Sequence, residues 1–531
     1  MRVLFVHPGP LIFSEIYLRL EPLGVECVGR AAEMAGHDVR LLDLQVFSQR
    51  DYHEVLLTWQ PEAIGFSLNY LANVPEVIDL ARAAKQCLRN CRVFVGGHSA
   101  SFIAHDLLEH AEGAIDCVVR GEGEDVTPQV LDAFEGGGVL ESLPGVVTPS
   151  GTGPAPLLVA NLDNYQPGRH LAGRRRKYFI GELDPCASIE FTRGCPWNCA
   201  FCSAWTFYGR SYRKLSPEAA AADLASIREP NVFIVDDVAF IRPEHGDAIA
   251  AEVERRRIRK RYYIETRADV LVRNREVFER WTRLGLRYMF VGIEAIDEED
   301  LKLHRKRVHL GENERALEVA RALGLVVAVN IIADPDWDEQ RFAIVREWAL
   351  AVPEIVHLTI NTPYPGTETW LTESRRFTTR DYRLFDVQHA VLPTRLSLRR
   401  FYEEIVRTQE ILNRKHMGVQ ALWDTAGIAF RLLLRGQTNF LRMLWKFSGL
   451  YNAERLNLDH HREVRYALRL PESTVPRCEK PSRKDLYVHH PTAVAAERPA
   501  SLRPTFRSLT PRGRAAGRSS AAHGAGRRRF R

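Results

Sequence analysis

The stretch Arg193-Gly194-Cys195-Pro196-Trp197-Asn198-Cys199-Ala200-Phe201-Cys202 places three thiols at the spacing C-x3-C-x2-C, directly after the strand-like run Ile189-Glu190-Phe191. A short loop containing Gly and Pro lets three side chains point inward together, as a cluster of iron and sulfide requires of its thiolates. Three protein ligands for four irons leave one iron open to a substrate or cofactor. A zinc site needs a fourth ligand, and the nearest spare thiol, Cys186, lies outside the loop; three unrelated buried cysteines are the remaining alternative. Cys27, Cys87, Cys91, Cys117 and Cys478 share no such spacing and read as core or surface residues.

Downstream of the loop, further β-branched and aromatic runs recur: Val232 to Val235, Tyr262 to Ile264, Tyr288 to Val291, Val326 to Val329 and Val356 to Thr359. Segments of crossover-helix length separate them, and six such units predict a barrel or part-barrel. Upstream, strands are predicted near 2–6, 39–43, 63–68, 92–95 and 116–119, alternating with helices, which is the pattern of a doubly wound parallel α/β sheet. Turn chemistry follows three of these strands: Pro8-Gly9-Pro10, Gly96-Gly97-His98 and Gly121-Glu122-Gly123-Glu124. Ligands bind at the carboxyl ends of such strands, so this half reads as the site of a sizeable cofactor, although glycines that merely close tight turns would look the same.

The predicted organisation is therefore a domain over 1–140, a linker over 141–180 with the basic run Arg174-Arg175-Arg176-Lys177, a barrel domain over 181–385, a helical region over 386–470, and a disordered basic tail over 471–531. The chain has 531 residues and a formal charge of +6, but residues 472–531 alone carry fourteen Lys/Arg against four Asp/Glu, leaving −4 for the rest. The basic character belongs to the tail, and without a recognition fold beside it nucleic-acid binding is not expected. An opening run Val3-Leu4-Phe5-Val6 that reads as a strand, and an odd number of cysteines, nine, predict a reducing, cytoplasmic setting. Treated as one helix at about 100° per residue, Ile428 to Phe447 gathers Arg431, Arg435, Arg442 and Lys446 within roughly 60°. These cations argue against a membrane span; a helix at the inner face of the membrane and an ordinary helix packed on the barrel both remain open.

The cysteine loop resembles that of the radical S-adenosylmethionine (SAM) superfamily, whose hallmark is C-x3-C-x-aromatic-C, with Phe201 in the aromatic place. The resemblance implies that Cys195, Cys199 and Cys202 ligate a [4Fe-4S] cluster whose open iron binds SAM, and that the Phe201 backbone faces adenine. By position it implies SAM contacts from Asp236 and Asp237 after the second barrel strand, Glu265, Thr266 and Arg267 after the third, and Glu294 after the fourth. The amino-terminal half, with Pro363-Tyr364-Pro365-Gly366-Thr367, is similar to the cobalamin-dependent branch. That likeness implies a flavodoxin-like cobalamin-binding domain with contacts from Pro8, Gly9, Ser67, Gly96, Gly97, Gly121, Glu122 and Gly123, followed by a partial (β/α)6 barrel. The D-x-H-x-x-G pattern of many cobalamin domains is not met: Asp51-Tyr52-His53-Glu54-Val55-Leu56 lacks the glycine and follows the second strand, so His53 is not assigned to cobalt.

Within the branch, Val6-His7-Pro8-Gly9-Pro10, Tyr17 to Gly24 and Ala204 to Arg210 look most like the hopanoid C-3 methylases. This likeness implies methylation of an unactivated carbon of a lipid, fed by an electron donor such as a flavodoxin or ferredoxin. A cyclase or oxidoreductase of the porphyrin type, or a cobalamin or redox sensor that cleaves no SAM, are the alternatives. No residue is assigned to hydrogen transfer, and Tyr208, Tyr212 and Cys186 are left without a role.

Overall fold

Strand-forming runs that are apolar at every position require a sheet covered on both faces. In β1 (Arg2–His7), Val3 and Phe5 join one buried cluster with Phe94 and Val119, while Leu4 and Val6 join another with Phe66 and Val95. The computed structural model describes residues 1–11, 16–415, 419–447, 451–471 and Val488. β1 pairs in parallel with β2 (Asp38–Asp43) and β3 (Ala63–Ser67), and β4 (Arg92–Gly96) and β5 (Cys117–Val119) extend the sheet in the order β2-β1-β3-β4-β5. This is the flavodoxin-like order, reversing between β1 and β3. The segment read as a linker supplies a sixth strand, β6 (Val146–Val147), antiparallel to β5. Two valines are too short a run to announce a strand in sequence.

A second, wholly parallel sheet follows: β7 (Cys186–Ile189), β8 (Asn231–Ile234), β9 (Arg261–Arg267), β10 (Leu286–Glu294), β11 (Val326–Ala333) and β12 (Ile355–Ile360), each beside the next. The described strands form an open run of six, the partial barrel. Its first strand ends at Ile189, so Glu190 and Phe191, expected inside it, belong to the loop that leads to the cysteines. Alternation divides the faces: Ile234, Ile264, Val291 and Leu358 enter the large core under the helices, whereas Phe233, Val235, Tyr263 and Tyr288 meet on the inner face.

Beyond the barrel come the helices Leu398–Lys415, Val419–Leu434, Asn439–Phe447 and Ala453–Asp459. The stretch treated above as one helix from 428 to 447 is broken: Gly436 takes φ +72° and Gln437 N–H bonds back to the Leu432 carbonyl at 2.9 Å. Arg431 and Arg435 therefore do not share one helix with Arg442 and Lys446. The tail expected to be disordered lies outside the described residues except for Pro471 and Val488, whose N–H donates to the Thr206 carbonyl at 3.0 Å. Among the described residues no helix is long and apolar enough to cross a membrane.

The two sheets meet at a seam built from the β4 loop and the chain just after the cysteines. His98 stacks on Phe207 with ring centroids 4.7 Å apart, and its Nε2 lies 2.8 Å from Ser203 Oγ. Thr206 Oγ1 donates to the Gly366 carbonyl at 2.7 Å. Gly366 has φ +91°, and a Cβ there would sit 2.4 Å from the Phe102 ring. The Pro363 to Thr367 segment is thus a close-approach point between the domains. Gly366→Ala combines a left-handed alanine with overpacking and is expected to destabilise the protein by about 2–4 kcal/mol. Adding Phe102→Leu recovers only the overpacking share in a thermal melt; a single variant that melts like the parent contradicts this account.

Candidate active site

Before the cysteines can face a ligand their loop must be fixed, and Asp236 does this at its root. It is buried just beyond β8 and its carboxylate accepts from Phe191 N–H (2.7 Å), Thr192 N–H (3.0 Å) and Thr192 Oγ1 (2.7 Å). Burial outweighs these bonds and raises its pKa to about 7. Its side chain is therefore committed to the loop. Asp237, expected to share its role, behaves differently: one oxygen accepts from Gly194 N–H at 2.9 Å while the residue stays open to a void. Gly194 itself has φ +100°, and a Cβ would come within 2.4 Å of the Ser211 carbonyl, so only glycine lets the chain turn here.

The rest of the loop is held by its backbone. Cys199 O accepts from Trp205 Nε1 (2.9 Å), Ala200 N–H bonds the His304 carbonyl (3.0 Å), and Arg210 reaches the Pro196 carbonyl with Nη2 (2.8 Å). Arg267, placed at the end of β9 as expected, spans the loop from below. Its guanidinium lies over the Trp197 ring at 4.4 Å, donates to the Lys306 carbonyl at 2.7 Å, and approaches Cys199 Sγ at 3.7 Å. Cys195, Cys199 and Cys202 are free thiols. Burial pushes Cys195 up to about 12, with Asp237 adding to it, and Cys202 higher still. Deprotonation at these positions thus needs compensating positive charge, which iron supplies. Among the described residues no three His, Cys, Asp or Glu side chains are grouped to hold a single metal ion, whereas a cluster spreads its thiolates over separate irons. The donor set fits a cluster.

Around the cysteines stand three carboxylates. Glu265, on β9, is raised to about 7 by burial and by the charges of Asp237 and Glu294. Asp237 is raised to about 6, burial again leading. Glu294 ends β10 with φ +64° and is aimed by Lys306 Nζ at 2.9 Å, a buried pair. Acids that repel one another beside a void suit a cationic ligand such as the ammonium and sulfonium of SAM. Thr266, also expected at this ligand, turns its hydroxyl to the Ala239 carbonyl at 3.2 Å. Phe201 lies beside the void, with His304 edge-on to its ring at 5.5 Å.

Opposite stands the crevice of the first sheet, where the other nominated residues gather at carboxyl ends. Gly9 N–H donates to Glu76 (2.9 Å), and Asn73 Nδ2 bonds the Gly9 carbonyl (3.1 Å). Pro8 precedes it, buried. Ser67 Oγ accepts from Asn69 Nδ2 (3.2 Å), and Asn69 Oδ1 accepts from His98 N–H (3.1 Å), binding the loops after β3 and β4 around Gly96 and Gly97. Gly121 N–H donates to Ser101 Oγ at 2.9 Å. Glu122 has its carboxylate consumed by Arg193 (3.0 Å), Arg213 (2.7 Å) and Val159 N–H (2.6 Å), so only its backbone, like that of Gly123, is left for a cofactor. Short residues thus make up this carboxyl edge, a shelf of the first sheet. His53 lies exposed on the helix Gln49–Thr58, whose capping box uses Asp51.

Shelf and cysteine loop lie close together, with His98 Nε2 2.8 Å from the hydroxyl of Ser203, the residue after Cys202. Tyr70 is 53% exposed yet enclosed by protein, and it faces Glu265 across the gap. His98 is enclosed too, its pKa lowered by burial to about 4. The inner barrel face continues the walls with Tyr263, Tyr288, Phe290 and His357, the last two with rings stacked at 6.5 Å. Lys306, Asn69, Tyr70 and Arg193 escaped the sequence reading. Lys306 sits in the basic run Arg305-Lys306-Arg307, which looks like solvated surface, and the others carry no spacing signature.

Two family models match, the B12 binding domain over residues 9–131 and the Radical SAM superfamily over residues 189–349. A hopanoid C-3 methylase from Methylococcus capsulatus is 58% identical over 489 residues, covering 92% of this chain and 95% of that protein. An anaerobic magnesium-protoporphyrin IX monomethyl ester cyclase from Synechocystis is 27% identical over 74% of this chain and 81% of its own. Among solved structures, the cobalamin-dependent SAM radical enzyme OxsB with aqua-cobalamin and SAM bound superposes with a TM-score of 0.57 at 18% identity, over 67% of this chain and 53% of that one. The methyltransferase TsrM from Kitasatospora setae, with cobalamin and a [4Fe-4S] cluster, gives 0.56 at 18% identity over 71% and 76%. These two likenesses show the fold, and the far higher identity over nearly the whole chain shows the family: the protein belongs to the hopanoid C-3 methylases, cobalamin-dependent radical SAM methyltransferases whose cofactors are a [4Fe-4S] cluster, SAM and cobalamin.

Proposed function

We propose that this enzyme methylates C-3 of a hopanoid, with Cys195, Cys199 and Cys202 as cluster ligands. What supports the reading is the closeness of the cysteine loop and the carboxyl edge of the first sheet, with His98 beside Ser203 and Tyr70 beside Glu265, next to the aromatic inner face of the barrel. An unactivated ring carbon has no acidic proton, so acid and base groups alone do not suffice; when bound, the cluster with SAM supplies hydrogen abstraction and cobalamin supplies the methyl group. The chain's own part is binding, orientation and exclusion of water. Asp237, Glu265 and Glu294 offset the positive charge of SAM, and Lys306 keeps Glu294 aimed. Tyr263, Tyr288, Phe290 and His357 give a rigid triterpenoid an apolar wall and keep water from a reactive carbon. Pro8, Gly9, Ser67, Gly96, Gly97, Gly121, Glu122 and Gly123 present backbone and short side chains to cobalamin. A one-electron donor such as a flavodoxin or ferredoxin completes the reaction, at the inner face of a membrane that holds the lipid.

Anaerobic incubation of the reduced holoenzyme with methyl-labelled SAM and diplopterol, followed by mass analysis, tests this reading. Label on the A ring with both 5′-deoxyadenosine and S-adenosylhomocysteine is expected. Deoxyadenosine beside an unchanged lipid would remove the hopanoid. Single Cys195→Ala, Cys199→Ala or Cys202→Ala substitutions are expected to abolish SAM cleavage and most bound iron. Arg267→Lys keeps the charge but loses the planar fork that joins Trp197, Lys306 and Cys199. It is expected to lower iron content and deoxyadenosine formation by about tenfold; wild-type values for both would show that Arg267 does not hold the loop.

A further inference from the structure

Among the described residues only three Trp or Phe side chains are exposed, and all three lie in the helix pair Val419–Leu434 and Asn439–Phe447: Trp423 at 70%, Phe430 at 63% and Trp445 at 80%. On the first helix, at about 100° per residue, Trp423, Phe430 and the 72%-exposed Leu434 form a row, with Leu433 and Leu422 within about 100° of it. The pair has a buried cluster of its own, Ala429, Leu432 and Phe440, separate from the barrel core. A helix simply packed on the barrel would bury its aromatic row; here the opposite side is buried and the row faces out.

We propose that this face is a docking surface for an anionic lipid bilayer. Its composition is that of a helix lying in a membrane interface, with Trp, Phe and Leu on one side and cations beside them. Residues 419–447 hold Arg431, Arg435, Arg442 and Lys446 against one acid, Asp424. The turn between the helices is pinned to the basic run: Arg176 Nη2 donates to the Arg435 carbonyl at 2.6 Å, and Asn439 Nδ2 to Asp184 at 3.0 Å. Lys177 there stands within reach of Arg174, Arg19 and Arg442, and Arg261 within reach of Arg431 and Arg435. Asp51, Glu182 and Asp184 are among the acids that face these cations. Such crowding of like charge around exposed aromatics is complementary to anionic headgroups over acyl chains. The surface draws its purpose, access to a membrane-resident substrate, from the hopanoid reading, but its existence does not depend on that reading.

The test is co-sedimentation of the full-length holoenzyme with vesicles of phosphatidylglycerol and phosphatidylethanolamine that contain no hopanoid, and with phosphatidylcholine vesicles. Binding to the anionic vesicles, with weaker binding to phosphatidylcholine, is expected. The variant Trp423→Ser, Phe430→Ser, Trp445→Ser should lose about tenfold or more in partitioning, and Arg431→Gln with Arg435→Gln should lose preference for the anionic lipid, both with parental melting and iron content. Failure of the parent to bind overturns the proposal. So does a parent dimer that the triple serine variant converts to monomer without any vesicle binding, since a second copy then covers the face. Binding that survives the triple variant and vanishes on removal of residues 472–531 assigns the contact to the tail instead and overturns it as well. Methylation of the same hopanoid in detergent micelles separates the two readings: a parent that binds vesicles but methylates no hopanoid in micelles fails on substrate, not on docking.

Discussion

The buried guanidinium of Arg193 ties the two halves of this molecule together. It lies two residues before the first cysteine and pairs with Glu190 in its own loop, and with Glu122 (3.0 Å) and Glu124 (2.8 Å) from the cobalamin-binding domain. Removing ions from water costs several kcal/mol each, and only good geometry with opposite charge offsets this. Arg213 brings a second cation to Glu122. Although burial opposes it, Arg193 and Arg213 hold Glu122 down to about 2, while burial and Glu122 push Glu124 upward. Two arginines thus face three carboxyl groups at this joint. These pairs hold the cysteine loop against the first domain.

Around this joint further contacts hold the two halves together. His98 and Phe207 stack at one side, and Gly366 against Phe102 closes the domains to a distance that no larger residue allows. Asp236 belongs to this supporting group. Its three hydrogen bonds all go to the loop that carries the cysteines, so its position after β8 reflects support of the ligand site more than contact with it.

Local signals made most of the architecture readable. Apolar runs such as Val3 to Val6 fold as strands because both faces of their sheet are covered, Val326 to Val329 because its alternate residues enter the core under the helices, and the glycines at strand ends mark the crevice. What stayed hidden depends on pairing at long range. Lys306 is one of three consecutive basic residues, and only the fold-back of the chain after β10, through the short helix Glu298–Leu303, makes it the partner of Glu294. Tyr70 looks like any loop tyrosine until Glu265, 195 positions later in the chain, is placed across from it. Val146–Val147 becomes a strand only because β5 offers it an edge. The break at Gly436 was visible as a glycine, but its weight against a continuous amphipathic helix was not.

The alternation along the barrel strands also bears on how such enzymes diversify. Val291 and Leu358 secure the outer core, while their sequence neighbours Phe290 and His357 line the lumen. A mutation at an inward position reshapes the wall without entering the core that keeps the barrel folded. Substrate range and fold stability are thus written on interleaved residues of the same strands and are free to drift separately. A lineage can exchange one polycyclic substrate for another while the scaffold beneath it stays under unchanged selection.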